Sequence, residues 1–116
     1  MAVDGSRIVE GALPGPTIDL EGLILSPGFI DLHLHGGNGR DAMEASTEAF
    51  DAITACHAAG GTTSLLLTTV TAPVGQLVAV LSALERYLLE GQRAGARVLG
   101  AHVEGPFLSP HRPGIH

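Results

Sequence analysis

Three short apolar runs separated by two helix-length amphipathic segments constrain this chain most. Residues 29–35, 62–70 and 97–103 are strand-length, rich in apolar residues or threonine, and bounded by glycine and proline. Between the first two runs, Ser46 or Thr47 can cap a helix that carries Phe50, Ile53 and His57 on one stripe. Glu48 suits its positive end, and Gly60-Gly61 stops it. A second helix is predicted from about Val74, with Leu77, Leu81, Leu84 and Leu88 as its apolar face. Strand, helix, strand, helix, strand predicts parallel pairing through right-handed crossovers. In such sheets chemistry gathers at the carboxyl ends of the strands.

Those ends hold the residues with the most chemical content. His33-Leu34-His35 closes the first run and His102-Val103-Glu104 closes the third. A strand turns alternate side chains to the same face, so His33 and His35 are expected to project together, as are His102 and Glu104. Imidazole and carboxylate are ligands for divalent metals, and two such pairs on neighbouring strands can share an ion. Phe29 and Asp31 share the histidines' face, with Ile30, Leu32 and Leu34 on the other.

Composition narrows the function classes. In 116 residues, 45% of them hydrophobic, there is material for one ordinary core. Net charge is −6, and the six arginines are scattered, so nucleic acid is excluded as an expected partner. Cys56 stands alone, which rules out a disulfide framework or a cysteine zinc site within the chain. Between Ala52 and Leu84 only His57 and Cys56 are titratable, but glycines, Pro73 and six threonines interrupt the stretch. No run reaches the roughly 18 apolar residues of a membrane span. The start, Met1-Ala2-Val3-Asp4, lacks signal-peptide character, so a cytoplasmic setting is expected.

Toward the amino terminus, Asp4-Gly5-Ser6 is a turn signal before Ile8-Val9, and residues 17–25 alternate weakly. Both read as strand fragments around the Pro/Gly loop of residues 11–16. Asn38 and Arg40 follow the first run and could line an entrance, while His111 and Arg112 read as solvated loop residues.

The run from Pro27 to Gly36 (Pro-Gly-Phe-Ile-Asp-Leu-His-Leu-His-Gly) resembles the block that opens the barrel in the amidohydrolase superfamily. Asp19-Leu20-Glu21-Gly22-Leu23-Ile24-Leu25 ahead of it matches as well. His102-Val103-Glu104-Gly105-Pro106-Phe107-Leu108 resembles the block after the third barrel strand of N-acetylglucosamine-6-phosphate deacetylases. The Gly60-Gly61-Thr62-Thr63 turn, Ser109-Pro110 and Gly114-Ile115-His116 continue that likeness.

The resemblance implies an α/β fold: residues 27–116 as the first three units of a partial (β/α)8 TIM-type barrel, residues 1–26 as strands of a truncated small β domain. It implies that Glu104 binds the principal metal, that His33 and His35 hold a second, and that His116 contacts substrate. Asp31 and His102 would then support the ligands. The implied cofactor is one or two divalent ions, zinc first, with iron or another divalent metal as alternatives. The implied reaction deacetylates N-acetylglucosamine 6-phosphate, so the partner is a small amino sugar phosphate, and the whole enzyme is expected to be a homodimer. The family's proton-transfer aspartate and two further histidine ligands are expected downstream, so the chain is expected to be an incomplete piece, inactive alone. Three other readings stay open. One is a different cyclic amidohydrolase, such as a dihydroorotase or an adenine deaminase; another is a noncatalytic fragment that binds metal or completes a partner through its open edge; the third is a purely structural βα domain whose histidines are accidental.

Overall fold

A computed structural model describes residues 1–5, 7–92 and 95–114. At its centre is a three-stranded parallel sheet of β3 (Phe29–Leu34), β6 (Thr62–Thr68) and β7 (Arg97–His102), in the order β3-β6-β7. Helix α1 (Thr47–Ala59) joins β3 to β6, and α2 (Val74–Glu90) joins β6 to β7. Two small antiparallel hairpins accompany them: β1 (Ala2–Asp4) with β2 (Arg7–Val9), and β4 (Gly36–Gly37) with β5 (Arg40–Asp41). The protein is thus mixed α/β with a parallel sheet, as the alternation of runs predicts.

Side chains satisfy free amides at the start of α1 and of the turn before it. Ser46 caps α1, its hydroxyl accepting from the Ala49 amide at 3.2 Å. Just before it, Asp41 and Glu44 form a reciprocal capping box around a single 3-10 turn, Ala42–Glu44. Helix α2 has Pro73 at its cap and no side-chain cap bond.

The core lies between the helices and β6. Leu65 and Leu67 of β6 are buried against Phe50 and Ile53 of α1, Ala83, Leu84 and Tyr87 of α2, Val98 of β7 and Leu34 of β3. The buried face of α2 is Leu77, Val80, Ala83, Leu84 and Tyr87, whereas Leu88 of the predicted leucine stripe is exposed. The stripe is rotated because Tyr87 is an anchor. Its ring meets Phe50 edge-on at 5.3 Å between centroids, and its hydroxyl donates to Asp51 Oδ1 at 2.8 Å. A leucine-only reading of amphipathicity misses an aromatic whose polar tip has a partner.

Residues 17–25 form no strand, and Ile18, Leu23, Ile24 and Leu25 are exposed. The weak alternation there finds no neighbouring strand among the described residues, and an unpaired strand leaves its amides without partners. Strand β3 also departs from clean alternation. Its register on β6 slips by one residue after Phe29 and returns between Asp31 and Leu34; Leu34 is buried, and Ile30 and Leu32 are exposed.

Substituting Tyr87→Phe keeps the ring packing and deletes the bond between helices. We expect a loss of about 1–2 kcal/mol in urea unfolding, with Leu65→Ala costing more, about 2–5 kcal/mol. Equal stability of Tyr87→Phe and the parent would show that the hydroxyl contributes nothing.

Candidate metal centre

The carboxyl ends of the three strands lie side by side: Leu34 pairs with Leu67, and Thr68 with His102. Neighbouring strands are separated by about 4.8 Å, so β3 and β7 are about 10 Å apart with β6 between them. His33 and His35 from one side and Glu104 from the other nevertheless meet over the tip of β6. His33 Nε2 lies 3.2 Å from His35 Nε2. Glu104 Oε2 lies 3.2 Å from each of those nitrogens.

Three such atoms, mutually 3.2 Å apart, fit a single cation. Ligands about 2.0–2.1 Å from a tetrahedral ion are themselves about 3.3–3.4 Å apart. The donor set of two imidazoles and a carboxylate suits zinc and similar borderline divalent ions. His35 Nδ1 is buried with no hydrogen-bond partner among the described residues. The site is partly open: the side chain of His33 is 53% exposed, that of Glu104 24%.

The remaining predicted residues fall around this cluster. The His102 ring sits edge-on to His33, 4.9 Å between centroids, with Nδ1 3.4 Å from Thr68 Oγ1. It is outside the trio of converging donors, although it shares a strand end with Glu104. Asp31 folds back so that Oδ1 accepts from the His33 amide at 3.0 Å, touching the main chain of that histidine and not its ring. Arg40 is taken up by an ion pair with Glu44 at 2.8 Å. His111 and Arg112 are exposed loop residues. His116 lies outside the described residues.

Sequence reasoning missed three residues that hold the cluster's main chain. The sequence places His57 only on the stripe of α1; its Nε2 donates to the Gly36 carbonyl at 2.9 Å, fastening α1 to the residue after His35. Thr68 and Thr69, 0% and 1% exposed, are the others. Thr68 Oγ1 accepts from the Leu34 amide at 3.0 Å, and Thr69 Oγ1 from the Glu104 amide at 3.2 Å. The signal available in the sequence was two adjacent hydroxyls at the end of an apolar strand, since buried hydroxyls require partners.

Glycines give the chain its room here. A Cβ on Gly36 would lie 2.1 Å from the Arg40 carbonyl oxygen. Gly105, directly after Glu104, has φ +79°, and a Cβ there would lie 2.2 Å from Thr71 Oγ1 and 3.1 Å from Thr71 Cα.

A parallel α/β sheet with two histidines and a glutamate at its carboxyl edge is an arrangement that metal-dependent hydrolases use. The chain belongs to the amidohydrolase family, whose model matches residues 24–113. It is 44% identical over 93 residues to the N-acetylglucosamine-6-phosphate deacetylase of Bacillus subtilis (strain 168), covering 78% of this chain and 24% of that protein. It is 36% identical over 118 residues to the N-acetylgalactosamine-6-phosphate deacetylase of Escherichia coli O157:H7, covering 95% of this chain and 30% of that one. Among solved structures, the N-acetylglucosamine-6-phosphate deacetylase of Pasteurella multocida matches with a TM-score of 0.74 and 34% identity, over 85% of this chain and 26% of that chain. A mutant of the Mycobacterium smegmatis enzyme, in complex with N-acetyl-D-glucosamine-6-phosphate, matches with a TM-score of 0.68 and 39% identity, over 78% and 22%. The chain thus spans about a quarter of the length of the curated relatives it matches.

Gly105→Ala combines left-handed backbone strain with a clash against Thr71. We expect it to destabilise the fold by about 2 kcal/mol or more, read as a lowered urea midpoint. A midpoint equal to that of the parent would mean that the segment after Glu104 is free to move aside.

Proposed function

We propose that His33, His35 and Glu104 together hold one divalent metal ion, zinc by preference, in an amidohydrolase that cleaves the acetamide of N-acetylglucosamine 6-phosphate to give glucosamine 6-phosphate and acetate. The observation that carries this reading is the mutual 3.2 Å spacing of the three donor atoms at the carboxyl edge of a parallel sheet. The names of the relatives support the substrate class, an acetylated amino sugar phosphate. No helix among the described residues is long and apolar enough to cross a membrane, which suits an enzyme of soluble sugar phosphates in the cytoplasm.

A bound ion would supply Lewis-acid polarisation of the acetamide carbonyl and ready deprotonation of water. The chain's own residues do the holding: two neutral imidazoles and one carboxylate offer lone pairs to one point, and partial exposure of His33 leaves that point accessible. His102 packs on His33 and limits its rotation. Asp31 fixes the amide of His33, so the ring's root is restrained from the side away from β6. Protonation of the leaving amine needs a further acid that can reach the same edge. None of the three converging groups is free for that task while it holds an ion, so the 116-residue chain by itself is expected not to release acetate.

In the same reading, residues 27–116 are the opening units of a (β/α)8 barrel, and residues 1–26 contribute strands to a small β domain. Support comes from the outer edges of β3 and β7, which pair with no strand among the described residues, and from Phe29, Ile30 and Leu32, exposed by 70, 63 and 60%.

Zinc titration of metal-free protein against a competing chelator tests the site. One equivalent is expected per chain, with His33→Ala, His35→Ala and Glu104→Ala each weakening binding at least about tenfold. Binding unchanged in all three variants would overturn the assignment. Hydrolysis is the test of substrate, read as acetate release from N-acetylglucosamine 6-phosphate and its N-acetylgalactosamine isomer, as ring opening of dihydroorotate and as ammonia release from adenine. Turnover by the 116-residue chain at an ordinary enzymatic rate, or a preference for dihydroorotate or adenine, would refute the reading.

A further inference from the structure

We infer that Thr68 and Thr69 are positioning residues that set the spacing of the donor cluster, each hydroxyl pinning the main chain of one ligand-bearing strand to the tip of β6. The inference rests on the metal site proposed above, but its geometry stands independently.

A regular parallel ladder would leave His33 and His35 separated from Glu104 by the full width of β6. What closes that gap lies at the end of the ladder, where side-chain hydroxyls take over as acceptors. The amide of Leu34, between the two histidines, gives its hydrogen to Thr68 Oγ1 at 3.0 Å. The amide of Glu104 itself gives its hydrogen to Thr69 Oγ1 at 3.2 Å. The Thr69 amide in turn donates to the His102 carbonyl at 3.0 Å, tying β7 to the same two residues. One adjacent pair thus ties down the amide between the two histidines and the amide of the glutamate.

A hydroxyl has one proton and two lone pairs. With one lone pair of Thr68 engaged by Leu34, its hydroxyl still has a proton and a lone pair to offer His102 Nδ1, 3.4 Å away, and this contact orients the ring that packs on His33 in either tautomer. Both threonines are fully buried, so water does not compete for these contacts. Thr54 is equally buried, yet its hydroxyl donates to the Asp51 carbonyl within α1, remote from the cluster. It therefore serves as a control for the loss of any buried hydroxyl.

The experiment compares Thr68→Val and Thr69→Val with the serine variants at the same positions and with Thr54→Val. Zinc affinity is measured by chelator competition, the cobalt(II) absorption spectrum reports ligand geometry, and amide exchange is followed by NMR in the absence of metal. Each valine variant is expected to lose about 10- to 100-fold in zinc affinity and to alter the cobalt spectrum, while serine restores binding and Thr54→Val leaves it unchanged. Without metal, the Leu34 amide should exchange faster only in Thr68→Val, and the Glu104 amide only in Thr69→Val. Parent-like zinc affinity in both valine variants overturns the inference. Absence of zinc binding by the parent would instead remove the metal reading, leaving amide exchange to decide the positioning roles. If a valine variant does not fold, the parent protein still decides: both amides must be as protected as those of central β6, and rapid exchange of either one defeats the proposal.

Discussion

Everything at the candidate site depends on β6 being the middle strand. Its residues Leu65 and Leu67 form the floor of the core, and both helices and both neighbouring strands are packed or hydrogen-bonded to it. Parallel order then brings all three carboxyl ends to one edge, because every crossover returns the chain to the opposite edge before the next strand begins. The donors come from β3 and from just beyond β7, which never touch each other as strands. Their meeting is therefore a property of how β6 ends, and it ends in two small hydroxyl-bearing residues that leave space above them and offer acceptors to either side.

The approach of the main chain is limited by bulk as well as by hydrogen bonds. Glycine follows each donor block directly, Gly36 after His35 and Gly105 after Glu104, and each is pressed against backbone or side chain that a Cβ would strike. The tight β4–β5 hairpin that Gly36 permits is then gripped by His57 from α1. Helix α1 is held in turn by its Ser46 cap and by the Tyr87 bond from α2. A continuous set of contacts thus runs from the α1–α2 interface to the residue beside His35, so the placement of that histidine draws on the packing of the whole α/β unit.

Much of this was legible in the sequence, and what was not has identifiable causes. Strand, helix, strand, helix, strand could be read because each run had the right length and sharp Gly or Pro limits, and the His-Leu-His and His-Val-Glu blocks lay at strand ends where topology gathers chemistry. The α2 stripe was misjudged because leucine periodicity alone does not reveal that Tyr87 has a carboxylate to reach across to. His33 and His35 share a side as alternation predicts, whereas the exposure of Ile30 and Leu32 was not legible because it depends on what covers β3, which no local pattern encodes. Residues 17–25 alternate in sequence but find no partner strand among the described residues, so periodicity there had no structural counterpart. Thr68 and Thr69 escaped notice because threonine is an ordinary strand residue; their importance lies in which amides they face, 34 and 35 residues away in the chain.

The division of labour between side chains and main chain bears on how an ion would be bound. Three electron-rich atoms held 3.2 Å from one another favour positive charge between them, which a cation would supply. The groups that hold them there are the amides of His33, Leu34 and Glu104, none of which is itself a ligand atom, and they are satisfied by Asp31, Thr68 and Thr69. A centre whose backbone is already fixed in this way would need little further ordering to take up an ion. The reverse also follows: a fault at Thr68 or Thr69 would be felt first as a mis-spaced ligand set and only second as a less stable sheet, since the core that fixes β6 lies below them.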